Sequence, residues 1–202
     1  MAVNLTKGQN VKLTKGVQQV RMGLSWAAND NGKPVDLDAM AIELTGKDGK
    51  CVADDFLVFY GSEHRLNGKP TDPVHAVIHS GDNLTGEGDG DDEVITVDFS
   101  KLDPRVNAIL FIINIYQGKE RGQNFGMVKN PKARLYYSDN SVADLVYELD
   151  EDFSTETTME FCMLYKHNDE WKFKAIGEAN GCTLTEELKK YGIPTSGNAC
   201  AT

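Results

Sequence analysis

The chain is predicted to fold as an all-β sandwich of mainly antiparallel strands with a short C-terminal helix. Three observations carry that expectation. Ten short strand-like runs follow one another between residues 20 and 176. The segments between them place Asn, Asp, Gly and Pro in turn-forming order. No regular helical pattern separates the runs, which disfavours a parallel α/β sheet.

In chain order, Leu5-Thr6-Lys7-Gly8 is repeated as Leu13-Thr14-Lys15-Gly16, two short extended pieces that predict a hairpin or an edge strand. Lysine at strand ends guards an edge against pairing, which accounts for Lys7 and Lys15 without a site. The ten runs then cover 20–26, 35–44, 56–60, 75–79, 94–99, 108–116, 133–137, 142–149, 158–166 and 170–176. Turns are expected at 29–32, 47–50, 67–70, 130–131 and 138–140, each with Asn, Asp, Gly or Pro in place. Trp171, Phe173 and Ala175 alternate with Lys172 and Lys174, giving one buried and one wet face. The run 108–115 is apolar on both faces apart from Asn114, as a central strand requires. Thr183-Leu184-Thr185-Glu186 fits a capping box and Gly192-Ile193-Pro194 a stop, so one helix is expected between them. The domain is expected to span residues 1–193, with a flexible tail over 194–202.

With 202 residues, 40 % hydrophobic and 26 % charged, the chain has room for one sizeable core and is not disordered throughout. A net charge of -10 argues against nucleic acid or an anionic membrane as the main partner, since both select basic surfaces. The acidity is local: residues 82–93 carry six acids and 148–156 carry five, with no Lys or Arg in either, and without those eleven the chain would stand at +1. Cys51, Cys162, Cys182 and Cys200 form no C-x-x-C pair, so neither a zinc ribbon nor a thioredoxin-type motif is present. The first sixteen residues lack the apolar centre of a signal peptide, and no run approaches a membrane span. A cytoplasmic protein with reduced cysteines is expected.

The stretch Asp82-Asn83-Leu84-Thr85-Gly86-Glu87-Gly88-Asp89-Gly90-Asp91-Asp92-Glu93 packs mutually repelling acids between glycines. A hard cation resolves that repulsion, and calcium takes carboxylate and carbonyl oxygens from flexible loops. Asp36 and Asp38, two apart in a predicted strand, leave the sheet on one face. The aliphatic continuation of that face through Met40, Ile42 and Leu44 puts the pair at the strand's mouth. Asn114 either pairs within the core or offers its carbonyl to a ligand, and the loop 121–126 is a weaker source of amide oxygens. The candidate metal ligands are therefore Asp36, Asp38, Asp82, Asn83, Leu84, Gly86, Glu87, Asp91, Asp92, Glu93 and Asn114.

Rival motifs fit less well. An EF-hand would need oxygens where Leu84 and Gly86 stand, glycine where Glu87 stands, and flanking helices. Acids among the glycines of a phosphate loop would repel the phosphate unless a metal lay between them. His64, His75, His79 and His167 lack zinc spacing and are read as strand or loop histidines. Neither a nucleophile elbow nor a cysteine with a reason for a low pKa is present, so no catalytic residue is assigned.

Met22-Gly23-Leu24-Ser25-Trp26, Val35-Asp36-Leu37-Asp38-Ala39, Phe59-Tyr60, residues 81–93, Arg121-Gly122-Gln123-Asn124-Phe125-Gly126, residues 151–157 and Trp171-Lys172-Phe173 together resemble the TerD family of tellurium-resistance and general stress proteins. The resemblance runs from the first residues to Ile193. It implies a calcium-binding cytoplasmic β-sandwich without an established catalytic activity, with two calcium ions and other stress or tellurite-resistance proteins as partners. The family's acidic motifs fall on Asp36, Asp38, Asp82, Asn83, Glu87, Asp91, Asp92 and Glu93. The chain departs from the family at Gln117, where an acid is more usual, and in a lengthened loop around 65–73. The functional expectation is a calcium-binding scaffold of the stress response. Its rivals are a metal-dependent enzyme and a module that holds phosphate-containing or nucleotide ligands through the metal.

Overall fold

In the computed structural model, which describes residues 2–27, 34–46, 49–86, 90–137, 140–149 and 155–194, the alternating runs become strands of two facing sheets. The strands are β1 (Val3–Leu5), β2 (Asn10–Lys12), β3 (Gln19–Ala27), β4 (Leu37–Thr45), β5 (Leu57–Val58), β6 (Arg65–Leu66) and β7 (Lys69–Pro70). They continue with β8 (Val77–His79), β9 (Glu93–Asp98), β10 (Val106–Ile115), β11 (Lys129–Tyr137), β12 (Leu145–Glu148), β13 (Thr158–His167) and β14 (Glu170–Glu178). Two short helices follow the chain at α1 (Gly118–Arg121) and α2 (Leu184–Lys190). One sheet has the order β1-β12-β11-β3-β9-β8 and the other β2-β14-β13-β10-β4-β5, while β6 and β7 form a small ribbon.

Each of the ten expected runs contains a strand, and the opening repeat supplies two edge strands, one to each sheet, and not a hairpin. β1 pairs in parallel with β12 on one sheet, and β2 pairs antiparallel with β14 on the other. Leu5, in β1, and Leu13, just after β2, both sink into the core between the sheets. The lengthened loop at 65–73 also carries more order than expected. Asn67 and Gly68 adopt φ of 52° and 82°, the left-handed pair that a tight two-residue hairpin turn demands, and they join β6 to β7. The turn expected at 29–32, parts of those at 47–50 and 138–140, and the tail at 195–202 lie outside the described residues.

Between the sheets, Val20, Met22 and Leu24 of β3, Ile95 and Val97 of β9, and Leu135 of β11 meet Ile109, Phe111 and Ile113 of β10. β10 is central, with β4 on one side and β13 on the other. Its even residues Leu110 and Ile112 are buried on the opposite face, with Met40, Ile42 and Leu44 of β4 and Leu188 of α2. The helix is thus a third layer over one sheet. It begins as its sequence dictates: the Glu186 backbone N–H donates to Thr183 Oγ1 at 3.3 Å, and Thr183 N–H donates to Glu186 Oε2 at 2.8 Å, the reciprocal bonds of a capping box. Among the described residues no helix is long and apolar enough to cross a membrane.

Under α2, the Tyr191 hydroxyl donates to Glu160 Oε1 at 2.5 Å, and Lys190 Nζ bonds the buried Glu187 at 2.6 Å. Burial, then the neighbouring Glu187 carboxylate, which accepts from the protonated acid, holds the Glu160 carboxyl above its ordinary range. The folded chain therefore keeps a proton there that the unfolded chain releases. That contribution to stability is complete below the ordinary carboxylate pKa and is lost as pH rises through the raised one. Urea unfolding at about pH 5 and about pH 8 should show a smaller loss of stability with pH in Glu160→Gln than in the parent chain.

Candidate metal centre

Asp36 stands just before β4 and Asp38 is its second residue, opposite Asn114 of β10. Both side chains share the face of Met40, Ile42 and Leu44, which are sealed under α2. The pair therefore emerges where that covered face runs out, as the parity of the strand requires. Tyr116 N–H donates to Asp36 O at 2.9 Å, and Gln123 Nε2 donates to Pro34 O at 2.9 Å, so the entry to β4 is fixed from the α1 side. Asp82, in the loop after β8, completes the group. Asp36, Asp38 and Asp82 each offer an oxygen within 4.8 Å of the others, the one such group of three among the described residues.

The three acids open on a small cavity of 160 Å³, also lined by Tyr60, Leu84 and Tyr116. Asp36 and Asp38 are only 5 % and 3 % exposed, and Asp36 Oδ1 is buried without a hydrogen-bond partner. One cation is at hand: the Arg121 guanidinium lies 3.7 Å from Asp36 Oδ2 and 4.9 Å from the centroid of the Tyr116 ring. It does not balance the acids. Burial, followed by the charge of Asp82, pushes the Asp36 carboxyl up to about 6 in spite of Arg121. Burial, followed by the charges of Glu93 and Asp36, pushes Asp38 up to about 8. Burial and the neighbouring Asp38 push the Tyr60 phenol to about 12.

Among the described residues, the remaining acids of the loop, Asp91, Asp92 and Glu93, face protein partners. Asn83 Oδ1 accepts from the Thr85 and Gly86 backbone N–H groups, both at 3.2 Å, and Asn83 Nδ2 donates to Asp92 Oδ1 at 3.2 Å. Asp92 Oδ2 accepts from Trp26 N–H at 3.0 Å, which docks the loop on the end of β3. Gly86 lies so close to the same tryptophan that a Cβ would meet Trp26 Nε1 at 2.3 Å. Asp91 Oδ1 is paired with Arg134 at 2.7 Å. Glu93 is fully buried and accepts from Ala39 N–H at 2.7 Å and from Asn83 N–H at 3.3 Å. Asn114 Oδ1 accepts from the Thr158 hydroxyl at 2.8 Å. Leu84 contributes its exposed side chain to the cavity wall, and Glu87 lies outside the described residues. Of the eleven ligands expected from the sequence, the structure thus gathers three carboxylates at one point.

Three participants were not expected. Tyr60 and Tyr116 line the mouth because each follows directly on a core-directed segment that ends there. His79 is fully buried, with Nε2 placed 3.2 Å from Ala39 O and 3.4 Å from Glu93 Oε2. Its alternation with the buried Val77, two residues ahead of Gly81-Asp82, was the available signal.

The sequence matches the TerD domain over residues 1–191. It is 40 % identical over 200 residues to the tellurium resistance protein TerD of Serratia marcescens, covering 97 % of this chain and 100 % of that one. It is 39 % identical over 198 residues to general stress protein 16U of Bacillus subtilis, covering 96 % and 98 %. A crystal structure of a telluride resistance protein (TerD) homologue from Streptomyces coelicolor covers 89 % of this chain and 100 % of its own at a TM-score of 0.63 and 18 % identity, a likeness of fold. A domain match spanning nearly all of the chain, together with full-length relatives at two-fifths identity, makes this protein a member of the TerD family.

Proposed function

We propose that the protein is a calcium-binding member of the tellurium-resistance and general stress response, acting in the cytoplasm as a binding module for other proteins of that response. The observation that carries this reading is the meeting of Asp36, Asp38 and Asp82 within 4.8 Å, with Asp36 Oδ1 buried and unpartnered. The donors are hard oxygens without a thiolate or imidazole among them, the set that suits calcium and not a soft metal. A divalent ion there would be held by the three carboxylates and would supply the charge that Arg121 alone does not. Bound, it would draw the loop after β8 onto the mouth of β4 and set the outline of the surface formed by Leu84, Tyr60 and Tyr116.

Calorimetric titration of chelator-stripped protein should show calcium binding, and calcium should raise the melting temperature. Asp38→Asn should weaken that affinity by about tenfold or more. Unchanged affinity in this variant, or no binding by the parent chain, would overturn the assignment.

The acids also set a pH dependence. With the carboxyls of Asp36 and Asp38 raised to about 6 and about 8, the calcium-free fold holds protons that the unfolded chain gives up. Their share of stability is complete in acid and lost as pH climbs through those values. Calcium competes with the same protons. The gain in melting temperature on adding calcium should therefore grow from about pH 5 to about pH 8 and then level off.

A further inference from the structure

β4 is incompletely covered at one edge. β5 pairs with it at Ala41 and Ile42 only, and one rung further along, at Ala39, the backbone N–H and C=O meet side chains. The Ala39 N–H donates to Glu93 Oε2 at 2.7 Å, and the Ala39 carbonyl faces His79 Nε2 at 3.2 Å. Glu93 and His79 come from β9 and β8 of the opposite sheet. Between them they provide the acceptor and the donor that a neighbouring strand would have offered, and both are fully buried.

The tautomer of the imidazole is set by its other nitrogen. Gly81 N–H donates to His79 Nδ1 at 3.0 Å, so Nε2 carries the hydrogen and is shared between Ala39 O and Glu93 Oε2, the latter 3.4 Å away. Glu93 Oε1 accepts from Asn83 N–H at 3.3 Å. A single carboxylate is therefore bonded to the residue after Asp38 and to the residue after Asp82. All of its partners are donors, which leaves it engaged toward the protein and not toward the cavity, whose lining does not include it.

We infer that Glu93 and His79 are positioning residues that hold the Asp38 wall and the Asp82 wall of the site at ligating distance, and that Glu93 is not itself a metal ligand. The inference rests on the calcium reading above and adds to it which buried groups set the affinity. Gln in place of Glu93 presents one acceptor and one donor to partners that all donate. One bond must then be lost and the two walls part.

The test is a comparison of the parent chain, Glu93→Gln, His79→Gln, Asp38→Asn and Leu188→Ala, the last a core truncation under α2 and away from the site. Calcium affinity is measured by calorimetry, and the waters on bound terbium are counted from luminescence lifetimes in light and heavy water. Glu93→Gln and His79→Gln should each weaken calcium by about 10- to 100-fold without adding a water to terbium. Asp38→Asn should weaken it and add water. Leu188→Ala should lower the melting temperature and leave affinity unchanged, which separates positioning from general loss of stability. A gain of one or two waters in Glu93→Gln would make Glu93 a ligand and overturn the inference, as would parent-like affinity in both Glu93→Gln and His79→Gln. Should Glu93→Gln fail to fold, His79→Gln decides alone on the same criteria. No ion bound by the parent chain would overturn the calcium reading itself, a result distinct from the others.

Discussion

A strand paired along one edge by β10 but met by β5 at only two residues on the other needs further hydrogen-bond partners there, and the rest of this structure depends on how that need is met at Ala39. A buried glutamate and a buried histidine reach across the sandwich and complete the edge of β4. Buried polar groups are tolerated only when bonded, and an unpaired backbone N–H or C=O inside a core is costly. The bonds at Ala39 satisfy two backbone groups and two side chains at once. They also fasten one sheet to the other at the end where three further carboxylates gather, so the local packing problem and the geometry of the site have one solution.

The chain holds its buried acids in two ways. Glu43, on the same strand as Asp38, is fully buried with neither carboxylate oxygen bonded, and burial followed by the charge of Asp72 pushes it up to about 9. A group so placed is carried as a neutral acid, which avoids the cost of an isolated buried charge. Asp36 and Asp38 open instead on a cavity, beside an arginine that only partly offsets them. Glu43 and Asp38 lie on opposite faces of β4, and the cavity opens at the end held by Asp36 and Asp38. The same carboxyl chemistry is shut away at Glu43 and reaches a cavity five residues earlier.

Much of this was legible in the sequence. Period-two alternation and most of the turn chemistry located the ten main strands, and the capping box located α2, because those signals are local; the turn expected at 130–131 is instead a bulge inside β11, with Asn130 at φ 51°. The parity of Asp36 and Asp38 placed them at one face and one end of β4, where they stand. The acidic loop was harder to read, because its composition shows a dense run of carboxylates but does not say where each one points. Asp91 turns to Arg134, Asp92 to the Trp26 backbone and Glu93 to Ala39, all partners distant in sequence. His79 was passed over for the same reason, since its role arises only when β8 and β4 face each other. The opening repeat left a hairpin and an edge strand open, and the second holds twice over: β1 and β2 are the edge strands of two different sheets, and their leucines serve one core.

Those first strands have a consequence for how the fold is reached. β1 rests on β12, and β2 on β14, so the start of the chain finds its places only beside strands from its last third. Contacts so remote in sequence carry the full entropy of closing long loops and slow the search for the native state. During synthesis the two N-terminal strands would wait, unpaired, until both sheets had acquired their late members. Their brevity and the lysines in and just after them, Lys7, Lys12 and Lys15, suit that wait, because a short charged edge is a poor template for a stray partner.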